Sequence, residues 1–188
     1  PQPRWSRADV LDWLLCLAED QRDILIGFDL SMALPFHDRG TYFPEWSESP
    51  DHAKALWREV DAMCSDDPHL NVTSFLTHHQ ASRHFRHGGG QVGDLFTGGV
   101  GSLREVERYQ RATGQANSAS CFNLVGAAQV GKSSLTGMRM LHQLYGAIPV
   151  WPFDPVPDSG PAIVEIYTTV AALAAGPKDA ARSATAPV

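Results

Sequence analysis

Two acidic residues stand inside apolar runs: Asp29 in the segment ILIGFDL (residues 24–30) and Glu165 in AIVEIY (residues 162–167). A carboxylate on a strand buried on both faces is costly unless a cation or a donor compensates it. Two such acids meeting at a sheet crevice could share Mg²⁺ or Mn²⁺, hard cations that take oxygen ligands. There they would activate water and stabilise a leaving oxygen in phosphodiester cleavage. The alternative is that each is a strand-end acid paired with a nearby arginine or backbone amide.

A second string also carries chemistry. Gly126-Ala127-Ala128-Gln129-Val130-Gly131-Lys132-Ser133 satisfies G-x-x-x-x-G-K-[ST] letter for letter. In a phosphate-binding loop, the backbone from Gly126 to Gly131 and the Lys132 ammonium would wrap nucleotide phosphates, and Ser133 would hold the metal. That alternative function is ATP or GTP binding. The chain after Ser133 supplies little of the sheet such a site needs, with five prolines from Pro149 to Pro161 and one visible strand. Neither acid there, Glu165 or Asp154, closes an apolar run, so a glycine turn leading into a helix competes with the nucleotide reading.

Weaker signals come from basic residues. Arg83 and Arg86 stand among His78, His79, His84 and His87, while Arg104, Arg108 and Arg111 share one helical stripe. Arg83, Arg86, Arg104 and Arg108 are candidate contacts for substrate phosphates, against the alternative of a solvated helix face. His84 and His87 lack a third ligand at zinc spacing. Trp5, Trp13, Trp46, Trp57 and Trp151 read as packing anchors rather than base-stacking platforms.

The elements that must position these residues follow from periodicity. Ser6 and Asp9 open an amphipathic helix that closes before the polar stretch 19–23. Ile24 to Leu30 and Ala162 to Tyr167 are the two convincing strands, apolar enough for a parallel sheet, and are expected to be parallel neighbours. Helices are expected over 51–64, capped by Asp51, over 72–84, 103–112 and 134–145, with another starting at Val170. Seven glycines in fourteen positions from Gly88 to Gly101 predict a loop. Phe122 to Val125 suggests a short strand, and 149–161 a proline-rich connection.

At 188 residues, 43% hydrophobic and 19% charged, the chain has the makeup of one globular domain. We expect residues 1–176 to form it and 177–188 to be a disordered tail. No apolar run reaches bilayer length and no apolar signal core opens the chain, so a membrane partner and secretion are not expected. Cys16, Cys64 and Cys121 are odd in number and never C-x-x-C, which fits a reducing, cytoplasmic compartment with no disulfide-linked partner. The net charge of −6 disfavours nucleic-acid binding by bulk electrostatics and leaves room for a local basic groove.

Taken together, ILIGFDLSMALP, GAAQVGKSSLTGMRMLHQL, PVWPFDP and AIVEIYTTVAALAAG resemble a family of uncharacterised bacterial predicted nucleases with a ribonuclease-H-like fold, the domain of unknown function 429. The likeness runs nearly to Gly176. It implies an α/β fold with helices on a partly parallel sheet and a divalent-metal-dependent nuclease or phosphoesterase (a hydrolase) acting on nucleic acid. Asp29 and Glu165 match the family's strand carboxylates as catalytic and metal-binding residues. The family's opening hairpin, whose first strand brings another Asp, and its acidic C-terminal helix have no counterpart here. The site is therefore expected to be incomplete, the chain to be a fragment truncated at both ends, and catalysis weak or lost. A non-catalytic interaction domain is the further alternative.

Overall fold

A computed structural model describes residues 4–36, 38–99, 101–115, 117–126 and 130–167. The helix expected to start at Val170 and the tail 177–188 lie outside them. Helix α1 spans Arg7–Glu19 and opens as its sequence dictates: the Asp9 amide donates to Ser6 Oγ (3.1 Å) and the Ser6 amide to Asp9 Oδ2 (2.7 Å). These bonds hold the Asp9 carboxyl below its usual range, the Ser6 backbone bond contributing most.

The centre is a three-stranded parallel sheet in the order β1-β3-β2, formed by β1 (Leu25–Phe28), β2 (Val150–Trp151) and β3 (Ala162–Glu165). The two expected strands pair in parallel, Leu25 opposite Ala162 through Phe28 opposite Glu165. The third strand lies within the stretch 149–161, expected only as a proline-rich connection. β2 is two residues long and lies between Pro149 and Pro152. It survives there because the missing proline N–H groups are not needed: Ile163 donates to the Pro149 carbonyl (2.9 Å).

Helices α2 (Ala53–Met63) and α5 (Val130–Gln143) pack against each other through Leu56, Trp57 and Val60 on one side and Leu135, Met138 and Leu141 on the other, all buried. Trp57 Nε1 donates to the Met32 carbonyl (2.7 Å), fixing the loop after β1 to α2. Buried Arg139 on α5 donates to Asp61 Oδ1 on α2 (2.8 Å) and to the Asn71 carbonyl (2.6 Å), so its charge is paired. A second part of the core is aromatic, with Phe43, Phe75, Phe85 and Phe122 meeting mostly edge to face.

Two helix expectations change. α2 is capped by His52, whose Nδ1 accepts from the Ala55 amide (3.1 Å), and Asp51 lies one residue outside the cap. The helix expected over 72–84 is instead α3 (Thr73–Thr77), an extended His78, and a 3-10 turn from Ala81 to His84. Its residues compete with the helix: Thr77 Oγ1 donates to the Thr73 and Ser74 carbonyls (2.9 and 3.3 Å), and His78 leaves to stack beside Trp46 (5.2 Å). Last, α4 (Glu105–Ala112) is followed by Gly114 at φ +69°, as the glycine stop predicts.

Candidate functional site

β1 and β3 run in the same direction, so their carboxyl ends bring Asp29 and Glu165 to one edge of the sheet, where open parallel sheets receive their ligands. Glu165 is held there on both oxygens. Arg104 Nη1 donates to Oε2 (2.7 Å), Arg104 Nη2 to Oε1 (2.6 Å), and the Met32 amide to Oε2 (3.2 Å). Such a fork-to-carboxylate pair fixes geometry as well as charge. Arg104 is the cap position of α4, and its other contacts run the opposite way. Its Nε donates to Glu107 Oε1 (2.9 Å) and its amide to Glu107 Oε2 (2.8 Å).

The Arg104 guanidinium thus ties α4 to β3, and the Met32 amide ties the loop after β1 to the same carboxylate. Burial works against the Arg104 charge, but the Glu165 hydrogen bonds and then the Glu107 charge outweigh it and raise its pKa. Cys121 adds its thiol to the same network, donating to Glu107 Oε1 (3.9 Å). Burial first, then the Glu107 charge, pushes that thiol up to about 12. Such a thiol is held in its protonated form at neutral pH.

Asp29 is exposed, one residue past β1, and the register matches Glu165 to Phe28 rather than to Asp29. Mg²⁺ and Mn²⁺ need several oxygen ligands, and among the described residues no group of three or more His, Cys, Asp or Glu side chains is placed to hold a metal ion. With both Glu165 oxygens engaged by Arg104, the donors at this edge do not fit a divalent-metal centre.

The glycine-lysine string has a packing explanation. Residues 127–129 lie outside the described residues, and α5 is under way by Val130. A Cβ on Gly131 would lie 2.3 Å from the Cys121 carbonyl oxygen, and one on Gly137 2.5 Å from Leu30 Cδ2. Between them, Ser134 Oγ accepts from the Ser31 amide (3.1 Å). Gly131, Ser134 and Gly137 therefore form one stripe of small residues, spaced by three, that lets α5 approach the loops 121–124 and 30–31. Lys132 and Ser133 are exposed, and Ser133 Oγ donates to the Val130 carbonyl (2.9 Å). Phe122 to Val125 is not a strand of the sheet; Asn123 forms an isolated bridge with Arg86.

The arginines proposed for phosphate are mostly occupied by carboxylates. Arg83 donates to Asp94 (2.7 to 3.2 Å) and to Glu45 (3.0 Å), and Arg108 pairs with Asp38 and more loosely with Glu105 (3.7 Å). Arg86 has an exposed side chain. His87 Nε2 bonds the Ser82 carbonyl (2.9 Å). His84, four residues from the glycine loop, is 5% exposed and lines a cavity of about 90 Å³ with Phe36, Tyr42 and Phe122. Sequence reasoning missed this cavity, and it missed Glu107. The signal for Glu107 was present: an acid three residues after Arg104, in the first turn of a helix.

No family model, curated protein or solved structure matches this chain. Among the described residues no helix is long and apolar enough to cross a membrane, and Cys16, Cys64 and Cys121 are free thiols.

Proposed function

We propose that this chain is a non-catalytic binding domain of ribonuclease-H-like type, in which the strand carboxylate that would serve chemistry serves architecture. The single observation behind this reading is the two-point Arg104–Glu165 ion pair, extended through Glu107 to Cys121. A carboxylate awaiting a cation is a poor neighbour for a buried guanidinium, because the arginine already supplies the positive charge. The test is cleavage of a labelled single-stranded oligonucleotide in Mg²⁺ or Mn²⁺ by the purified chain. No cleavage above buffer is expected. Cleavage abolished by both Asp29→Asn and Glu165→Gln would overturn the reading.

A second reading, the metal-dependent nuclease, keeps one observation in its favour: Glu165 ends β3 and Asp29 follows the end of the neighbouring parallel strand β1. It requires Glu165 to leave Arg104, and it predicts cleavage that rises when Arg104 is replaced.

A further inference from the structure

The two faces of the sheet differ in burial. Side chains alternate along a strand, and residues paired across strands point the same way. Ile26, Phe28, Val150 and Ile163 therefore share one face with Glu165, and those four apolar residues belong to or pack on the core. Leu25, Gly27, Trp151, Ala162 and Val164 share the other face. Ile166 joins them, since a Cβ on Gly27 would lie 2.8 Å from Ile166 Cδ1. On this second face only Ala162 is buried: Leu25 is 69%, Trp151 56% and Ile166 40% exposed, and no residue of the set is charged. Parallel sheets are ordinarily covered on both faces, and an exposed apolar patch marks a surface that something meets.

The size of the patch decides what can cover it. Three strands about 4.8 Å apart span roughly 10 Å, and four residues of strand run about 13 Å. That footprint, on the order of 130 Å², is a small part of the ~800 Å² that each partner buries in a stable interface. A second copy or a separate protein would not be held by it alone. A segment of the same chain needs less area, because its tether replaces association from solution. A helix of six residues is about 9 Å long and about 10 Å wide, which matches the patch.

The sequence supplies such a segment directly after β3. Residues 168–176, TTVAALAAG, follow Tyr167 and lie outside the described residues. They carry no charge, and their order is that of a short helix: Thr169 as cap, 170–175 as body, Gly176 as stop and Pro177 beyond it. Val170, Leu173 and Ala174 fall on one side at i, i+3 and i+4. Six residues are too few to hold a helix in water without a surface to pack on. From the open face and this sequence we infer that residues 170–175 form a short helix lying on the sheet, with Val170 and Leu173 against Leu25, Val164 and Ile166. Glu165 is on the opposite face with Arg104, so this cover and the binding reading above stand or fall separately.

The experiment is hydrogen exchange by mass spectrometry on the full chain as wild type, Leu25→Asp and Leu173→Asp, with light scattering to give the mass of each. Wild type should be a monomer in which the amides of residues 173–176 exchange at least about tenfold more slowly than in an unstructured peptide. Each substitution should bring that exchange to within about threefold of the peptide rate, while exchange in β3 and α5 stays as in wild type. Leu173→Asp alters the cover and Leu25→Asp the covered face, so agreement of the two separates lost docking from local opening of β1. Unprotected amides at 173–176 in wild type, or protection that either variant keeps, would overturn the inference. So would a dimer that Leu25→Asp breaks, which would give the face to a second copy.

Discussion

The sheet edge and the His84 cavity both bury polar groups among apolar side chains, and they treat them in opposite ways. At the edge, Glu165 receives three donors and Arg104 serves two carboxylates, so every strong polar atom there is paired. In the cavity, His84 Nε2 is left without a partner. A satisfied network specifies a fold, and an unsatisfied atom sealed from water costs stability. Acidic residues on apolar strands drew attention to the first region, whereas no sequence signal marked the second.

The largest way to break this contrast is Arg104→Leu, which strands two carboxylates at once. Urea denaturation should show a loss of roughly 3 to 5 kcal/mol. A loss below about 1 kcal/mol would mean that Glu165 and Glu107 are adequately solvated without it.

Next comes the glycine string. Gly131→Ala puts a methyl against a backbone carbonyl that cannot swing away, for an expected cost of about 1 to 3 kcal/mol. Lys132→Ala, on the exposed side of the same turn, should change stability by less than about 0.5 kcal/mol. Equal effects would contradict the packing account of this motif, and micromolar ATP or GTP binding lost in Lys132→Ala would restore the nucleotide reading.

A smaller effect separates the regions by pH. His84 has a folded pKa below its ordinary 6.5, from burial and then Arg83, with Asp94 and Glu45 opposing. The unfolded chain therefore takes up the proton first as pH falls. The stability held above pH 6.5 should decline below it, by up to about 1.4 kcal/mol per pH unit for one proton. His78, whose pKa is lowered by burial and His79, adds in the same direction. In His84→Phe the decline should be shallower by His84's share, and stability at neutral pH equal to wild type or up to about 1 kcal/mol higher, since an unpaired polar atom has been removed. An unchanged slope would mean that His84 is not buried in solution.

Much of the frame was legible because its signals are local. The runs around Ile26 and Ile163 are apolar on successive residues and both form strands, although β1 is not buried on both faces as expected, Leu25 being 69% exposed. Ser6 with Asp9 writes out a helix start. β2 was hidden because two residues between prolines carry no periodicity. The role of Arg104 was hidden for a different reason: its stripe with Arg108 and Arg111 reads as a solvated or phosphate-binding face, and its partner Glu165 is 61 residues away. His84 lies in the polar stretch ASRHFRH, where nothing in the sequence says that one histidine of several is buried.

The central claim, that Glu165 is a strut and not a metal ligand, makes a prediction of sign. Carboxylates gathered for a cation repel one another in its absence, so neutralising one stabilises the metal-free protein, whereas neutralising a carboxylate that balances a buried arginine destabilises it. The measurement is the unfolding free energy of wild type and Glu165→Gln in EDTA and again in millimolar Mn²⁺. The account predicts that Glu165→Gln is less stable by roughly 1 to 3 kcal/mol in both buffers, with no stabilisation of wild type by Mn²⁺. A variant as stable as wild type or more so in EDTA, together with Mn²⁺ stabilising wild type alone, would contradict it.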